Sequence, residues 1–320
     1  MYIRRLIIVA IATCVISFLT GWVFDYQFKK RWSVIFFEKS DELIKGHNNY
    51  DIIFLGNSRV HFGINPYYVD SVTKLNSYNF GTGGADAQDI RLSSLVYLQH
   101  HKPPKLVIIS LDKASLGKKD ILKTRFHYLF YLENDTISKY MKLAGFPTPL
   151  IKALPFIKYS FFDEYNRTSI FVKGTPFPVF AHNIYKGFMN PHQYTRSKAA
   201  DNLYNINAGS NNLWEPSIIY LRNTIAALQQ AGSTVVFISP PEKNHSLNRE
   251  STLKHNTDSI INIIAQAYHI RYFHFEKTFD DREEYFVDDI HLNEPGTKIY
   301  SIQLADSIKN IYPYLKKASY

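Results

Sequence analysis

A carboxylate stands three residues before a histidine in the stretch Asp288-Asp289-Ile290-His291-Leu292-Asn293-Glu294-Pro295-Gly296. At that spacing Asp288 can fold back to accept a hydrogen bond from the His291 ring Nδ1–H, which fixes the tautomer and leaves Nε2 to take a proton. A single D-x-x-H is ordinarily surface or coincidence, and the chain has 12 histidines. A nucleophile for that base is offered by Phe54-Leu55-Gly56-Asn57-Ser58-Arg59, where Ser58 closely follows an apolar run. Ligands of open α/β sheets bind beyond the carboxyl ends of strands, although a serine there is ordinarily only a turn or a cap. The third segment, Asn79-Phe80-Gly81-Thr82-Gly83-Gly84, has the glycines that let backbone N–H groups approach a ligand. Read alone it is a flexible strand-to-helix turn. A dinucleotide loop fits it poorly, because it lacks the G-x-G-x-x-G spacing and follows the second strand rather than the first.

These residues need elements to hold them. Continuous β-branched runs at 51–55 (DIIFL), 77–80, 105–111 (KLVIISL), 234–239 (TVVFIS) and 270–275 (IRYFHF) have the pattern of parallel strands covered on both faces. Between them lie helical patterns. Asn65-Pro66 supplies an N-cap and a proline for the first helical position, and residues 86–100 repeat Ile90, Leu92, Leu95 and Leu98 on one face. Residues 216–230 place Ile218, Leu221, Ile225 and Leu228 similarly and stop near Gly232, and 252–267 and 294–311 complete the set. The alternation predicts an α/β three-layer domain with a mostly parallel sheet. The pattern breaks at about 114–214, a stretch rich in aromatics and carrying Pro147, Pro149, Pro155, Pro176 and Pro178, which reads as a helical insertion between the third and fourth strands.

Residues 6–24 (LIIVAIATCVISFLTGWVF) form a run of nineteen without a charge. As a helix it spans roughly 28 Å, close to the roughly 30 Å hydrocarbon core of a bilayer. Arg4 and Arg5 precede it, Trp22 sits where an interfacial aromatic belongs, and Lys29, Lys30 and Arg31 follow. A cleaved signal peptide would need a small-x-small site after the run, and none stands there, so an uncleaved anchor is the expectation. The predicted organisation is a membrane anchor over 1–32 and an α/β domain over 33–320, exposed on the extracytoplasmic (periplasmic) side of a single-pass helix.

Composition narrows the classes of function. With 45% hydrophobic and 20% charged residues among 320, the chain can bury a sizeable core. Its one cysteine, Cys14, excludes an intrachain disulfide and a cysteine-built metal site. No other metal site and no cofactor motif stands out. The net charge of +9 favours anionic surfaces such as phospholipid head groups or acidic glycans. No nucleic-acid-binding signature accompanies it.

Taken in order, the three segments resemble the SGNH (GDSL-like) hydrolases. Gly56-Asn57-Ser58 is similar to the first block of that family, with Asn57 where many members carry Asp. Asn79 to Gly84 is similar to the second block, and Asp288 to His291, with Leu292, Asn293 and Gly296, to the last. The resemblance covers roughly residues 50–112 and 216–311 and implies a flavodoxin-like sheet. It also implies Ser58 as nucleophile, His291 as base, Asp288 as its orienting carboxylate, and the N–H groups of Ser58 and Gly84 as an oxyanion hole. One departure is plain: the third block ordinarily ends in an Asn whose amide completes that hole, and Asp112 stands here, followed by Lys113. Losing such a donor typically costs about 2.7–4 kcal/mol of transition-state stabilisation. Either Lys113 or a residue of the insertion substitutes, or hydrolysis is weak, or Asp112 is a structural cap outside the site. A single N-terminal anchor on such a domain is similar to envelope proteins that O-acylate polysaccharides or teichoic acids beside a membrane-bound O-acyltransferase. The expectation is acyl transfer to a glycan or polymer acceptor. The alternatives are a carbohydrate or lipid esterase and a non-catalytic binding module.

Overall fold

A computed structural model describes residues 2–31, 34–117, 126–161, 184–190, 213–243, 251–280 and 282–311. The chain divides into two compact units, one formed by residues 1–40 and 120–181, the other by 41–119 and 182–320.

The strands are β1 (Ile52–Leu55), β2 (Ser77–Asn79), β3 (Leu106–Ser110), β4 (Ile184–Tyr185), β5 (Phe188–Met189), β6 (Thr234–Ser239) and β7 (Arg271–His274). The helices are α1 (Tyr2–Arg31), α2 (Val34–Lys45), α3 (Ser58–Gly63), α4 (Pro66–Thr73), α5 (Ala87–His100), α6 (Lys113–Leu116), α7 (Asp135–Leu143), α8 (Thr148–Ala153), α9 (Glu215–Gln230), α10 (Ser251–Ala267) and α11 (Glu294–Ile311).

In the second unit five strands form one parallel sheet of order β2-β1-β3-β6-β7. This is the doubly wound order in which the chain reverses direction across the sheet between β1 and β3, leaving a crevice at their carboxyl ends. Strand side chains alternate between faces. Ile52, Phe54, Leu106, Ile108, Val236 and Ile238 share one buried cluster with Val60, Ile64, Val69, Tyr300 and Leu304, which belong to or adjoin α3, α4 and α11. Ile53, Leu55, Val107, Ile109, Val235 and Phe237, equally buried, turn to the other face, where α5 and α9 pack together. Three layers result, as the alternation of apolar runs predicts.

The edge strand β2 is short. The β4–β5 hairpin covers it, with the Asn79 N–H donating to the Lys186 carbonyl at 3.0 Å. Lys186 Nζ reaches Asp70 Oδ2 at 2.5 Å and Asn76 Oδ1 at 2.6 Å. Burial lifts the Asp70 carboxyl above its ordinary range, and its bonds from Lys186 and Ser77 offset only part of that rise. The closing turn needs glycine: Gly187 has φ +76°, and a Cβ there would stand 2.1 Å from the Asn79 carbonyl oxygen.

The first unit contains α1, whose segment Tyr2–Val23 is long and apolar enough to cross a membrane. It also contains α7, α8 and two short 3-10 turns, Phe126–Phe130 and Pro155–Phe161. Asn134 caps α7 by accepting from the Ile137 N–H at 3.1 Å. Phe37 packs edge-on against Phe130 with ring centroids 5.1 Å apart. The remainder of the expected insertion, 118–125, 162–183 and 191–212, lies outside the described residues.

Candidate active site

β1 ends at Leu55, and Gly56 turns the chain. Its φ of +151° is open to glycine, and a Cβ there would meet Val60 Cγ2 at 2.7 Å and Ser110 Cβ at 2.9 Å. Asn57 then caps α3, its side-chain oxygen accepting from the Arg59 N–H at 3.0 Å. Ser58 is thus the first helical residue. The apolar run and its spacing anticipate a serine after the strand but not the short helix that aims it.

His291 arrives from the far end of the chain. Phe286 bridges Leu292, the Val287 N–H donates to the His291 carbonyl at 2.8 Å, and the loop between them is tight. Asn293 anchors the start of α11, donating its amide to the Glu284 carbonyl at 2.6 Å and accepting from the Gly296 N–H at 3.0 Å. On the other side, Thr297 Oγ1 donates to the Phe62 carbonyl at 3.0 Å and the Asn65 N–H donates to Ser301 Oγ at 3.0 Å, so α11 is fastened to α3 and α4.

The result is a chain of contacts. Ser58 Oγ lies 2.7 Å from His291 Nε2. His291 Nδ1 lies 2.8 Å from Asp288 Oδ2 and 3.0 Å from its Oδ1. Asp288 Oδ1 also accepts from the N–H groups of Ile290, at 3.0 Å, and His291, at 2.9 Å. A carboxylate on Nδ1 assigns the ring proton to that nitrogen, so Nε2 accepts the Ser58 hydroxyl proton. Burial alone would raise the Asp288 pKa, but the His291 ring and the two backbone donors outweigh it and hold the carboxyl below its usual range. It is the Asp288 carboxylate that meets His291 Nδ1; the backbone carbonyl of the neighbouring Asp289 accepts from the Lys243 N–H at 3.0 Å.

The glycine segment runs beside β1, with the Phe80 N–H on the Phe54 carbonyl and the Thr82 N–H on the Gly56 carbonyl, each at 2.9 Å. It ends in a turn closed by the Ala85 N–H on the Thr82 carbonyl at 3.0 Å. Gly84 has φ +68°, and nothing lies within 4 Å of a Cβ built there. Asn79 ties this segment to α3. It is fully buried, donates to the carbonyls of Val60 at 2.8 Å and Ile64 at 2.7 Å, and accepts from the Gly81 N–H at 2.9 Å.

Asp112 stands at the carboxyl end of β3, across the crevice. Its Oδ1 caps α6, accepting from Ser115 N at 2.8 Å and Ser115 Oγ at 2.9 Å, and its Oδ2 accepts from Asn57 Nδ2 at 2.6 Å. It is therefore a cap, and also the support of the residue preceding Ser58. Lys113 opens α6 with its side chain half-buried. Arg59, to which the sequence pattern assigns no role, is buried beneath the site. Its guanidinium donates to the carbonyls of Pro240 and Pro241 and lies 3.9 Å from Asp112 and 3.6 Å from Glu242. One cation thus joins the carboxyl ends of β1, β3 and β6 and stands between the Asp112 and Glu242 carboxylates. The only sequence signal for it is an arginine adjoining the motif serine.

No protein-family profile matches the chain, and no curated protein matches its sequence. Solved structures do resemble it. An acetyl xylan esterase is 15% identical over 81% of this chain and 98% of its own, with a TM-score of 0.41. A lipase/acylhydrolase from Enterococcus faecalis is 13% identical over 81% and 96%, with a TM-score of 0.41. A GDSL-like lipase from Bacteroides thetaiotaomicron is 11% identical over 81% and 88%, with a TM-score of 0.38.

Proposed function

We propose that this chain is a membrane-anchored serine enzyme that transfers an acyl group from an ester donor to a hydroxyl of an envelope glycan or polymer. The observation that carries the reading is the 2.7 Å contact between Ser58 Oγ and His291 Nε2, backed by Asp288 on Nδ1. In the first half-reaction Ser58 Oγ attacks the ester carbonyl carbon while Nε2 takes the hydroxyl proton. The negative charge that develops on the carbonyl oxygen is met by the N–H groups of Ser58 and Gly84. The donor C–O bond then breaks, and the leaving oxygen takes the proton from His291. In the second half-reaction an acceptor hydroxyl gives its proton to Nε2 and attacks the acyl-Ser58 carbonyl, and Ser58 leaves with the proton returned to Oγ. Asp288 stabilises the imidazolium in both halves.

Water as acceptor would make the same site an esterase. One observation favours a hydroxyl acceptor: α1 has the length and apolarity to hold the chain against a membrane, where envelope polymers are handled. A bound acceptor gains many orders of magnitude in effective concentration over its free form. A membrane-bound O-acyltransferase that delivers the acyl group is the partner this reading implies.

A fluorophosphonate probe tests the nucleophile: it labels the wild-type chain, and Ser58→Ala removes the label. A folded, unlabelled wild type would leave the non-catalytic binding module as the better reading. Slow hydrolysis of small acetyl esters, together with acylated product when an envelope glycan is added, is the expected division of activity. Fast hydrolysis with no transfer would establish the esterase in its place.

A further inference from the structure

Most of α1 is bare. Leu6, Ile8, Ile11, Ile16 and Leu19 are exposed, whereas Ser17 and Thr20 are partly covered and Gly21 is buried. A Cβ at Gly21 would stand 3.5 Å from Phe156 N and 3.7 Å from Pro155 Cβ, so the Pro155–Phe161 turn lies against the helix at ordinary packing distance. One turn further on, Asp25 accepts from the Tyr159 hydroxyl at 2.7 Å and pairs with the buried Lys158, whose Nζ sits 4.4 Å from the centre of the Phe130 ring. These contacts fix the height of the turn along α1.

Gly21 precedes Val23, the end of the apolar span, by two residues, or about 3 Å at 1.5 Å per residue. A segment packed there lies where acyl chains give way to head groups. The segment leading into it is α8. Leu150 and Leu154 are one turn apart, both exposed, with Ala153 exposed beside them and Ile151 turned inward. Leu154 is joined directly to Pro155, so its Cα is about 3.8 Å from that residue's. Lys152 is exposed on the same short helix, a side chain whose stem can lie along apolar surface while its ammonium stays with head groups. Trp22, exposed at the same level of α1, suits that boundary as well.

We propose that α8 and Leu154 form a second membrane contact, in which Leu150, Ala153 and Leu154 enter the interface of the bilayer that α1 crosses. The occupant is lipid rather than a protein, because the tie of Pro155 and Phe156 to Gly21 holds Leu154, bonded to Pro155, at the edge of the apolar span, and Leu150 and Ala153 share its exposed face. The proposal rests on the reading of α1 as a membrane anchor.

The test uses the full chain with Cys14→Ala, carrying a nitroxide on Leu150→Cys, on Leu154→Cys or, as a reference, on Ile11→Cys. Each is reconstituted into phosphatidylcholine/phosphatidylglycerol vesicles, and collisions with oxygen and with a water-soluble nickel chelate are measured. The expected result is an oxygen-to-nickel ratio several-fold above that of the free label in buffer at all three positions. If the Ile11 label reports lipid while those at 150 and 154 report water, the proposal is overturned and the anchor stands. Labels at 150 and 154 shielded from both probes would mean that a protein surface covers the face, which also overturns it. Should the Ile11 label report water too, the anchor reading fails and takes the proposal with it.

Discussion

Asp288 receives the ring Nδ1 of His291 and two backbone N–H groups, all of which prefer its ionised form. Its folded-state pKa is therefore held below the unfolded value of about 3.9. A depressed carboxylate contributes stability that is present above the unfolded pKa and lost as pH falls through the folded one. The thermal midpoint of detergent-solubilised wild type should exceed that of Asp288→Asn at pH 5–6, and the gap should narrow below about pH 4. The same variant should lower acyl transfer by about 10³–10⁴-fold, because an amide does not enforce the tautomer. Asn57 and Asp112 supply a second residue-scale test. Asn57→Asp would set two carboxylates at a 2.6 Å contact, and Asp112→Asn would replace a charge-assisted bond by a neutral one. Each single change should lose about 1.5–3 kcal/mol, and the double exchange Asn57→Asp with Asp112→Asn should recover much of it, as a thermal double-mutant cycle would measure.

At the scale of elements, Ser58 rides on α3, and α3 is held by what surrounds it. Asn79 closes the carboxyl end of β2, bonds two carbonyls of the α3 turn and its exit, and receives the Gly81 N–H. Asn79→Ala removes all three bonds at a buried position. The expected cost is about 1–3 kcal/mol for each buried group left without a partner, so a fall in thermal midpoint should accompany reduced fluorophosphonate labelling of Ser58. Loss of labelling without loss of stability would mean that Asn79 acts on the site by some other route. The Asn79 motif was legible in the sequence, but only as part of a glycine segment. Its bonds to α3 span 15 and 19 residues, and no periodicity encodes them.

For the whole molecule, α1 is also part of the packing of its own unit, since Asp25 partners the buried Lys158. Removing residues 1–31 would leave that ammonium uncompensated, a change that costs about 3 kcal/mol or more at buried sites. The truncated chain should be cleaved faster by protease within 126–161 than the full chain, and Lys158→Met should restore much of the resistance. N-terminal sequencing of membrane-extracted protein should begin before residue 24; a start beyond it would rule out the anchor.

What the residues alone determined is what acts over short separations. The apolar runs marked the five strands of the parallel sheet within a residue or two of their ends, though not the β4–β5 hairpin inside the expected helical insertion; Asn65-Pro66 marked the start of α4, and Asp288 lies three residues from the histidine it holds. Such features depend on local sterics and on side chains one turn apart, so a linear pattern carries them. The tertiary structure decided which distant groups meet. Ser58 and His291 are 233 residues apart, Asn57 and Asp112 are 55, and Arg59 reaches a carbonyl 181 residues away. Those meetings arise from the strand order β2-β1-β3-β6-β7, which gathers the carboxyl ends of β1, β3 and β6 at one crevice. Strand order is set by packing both faces of the sheet at once, a global condition that no window of sequence contains.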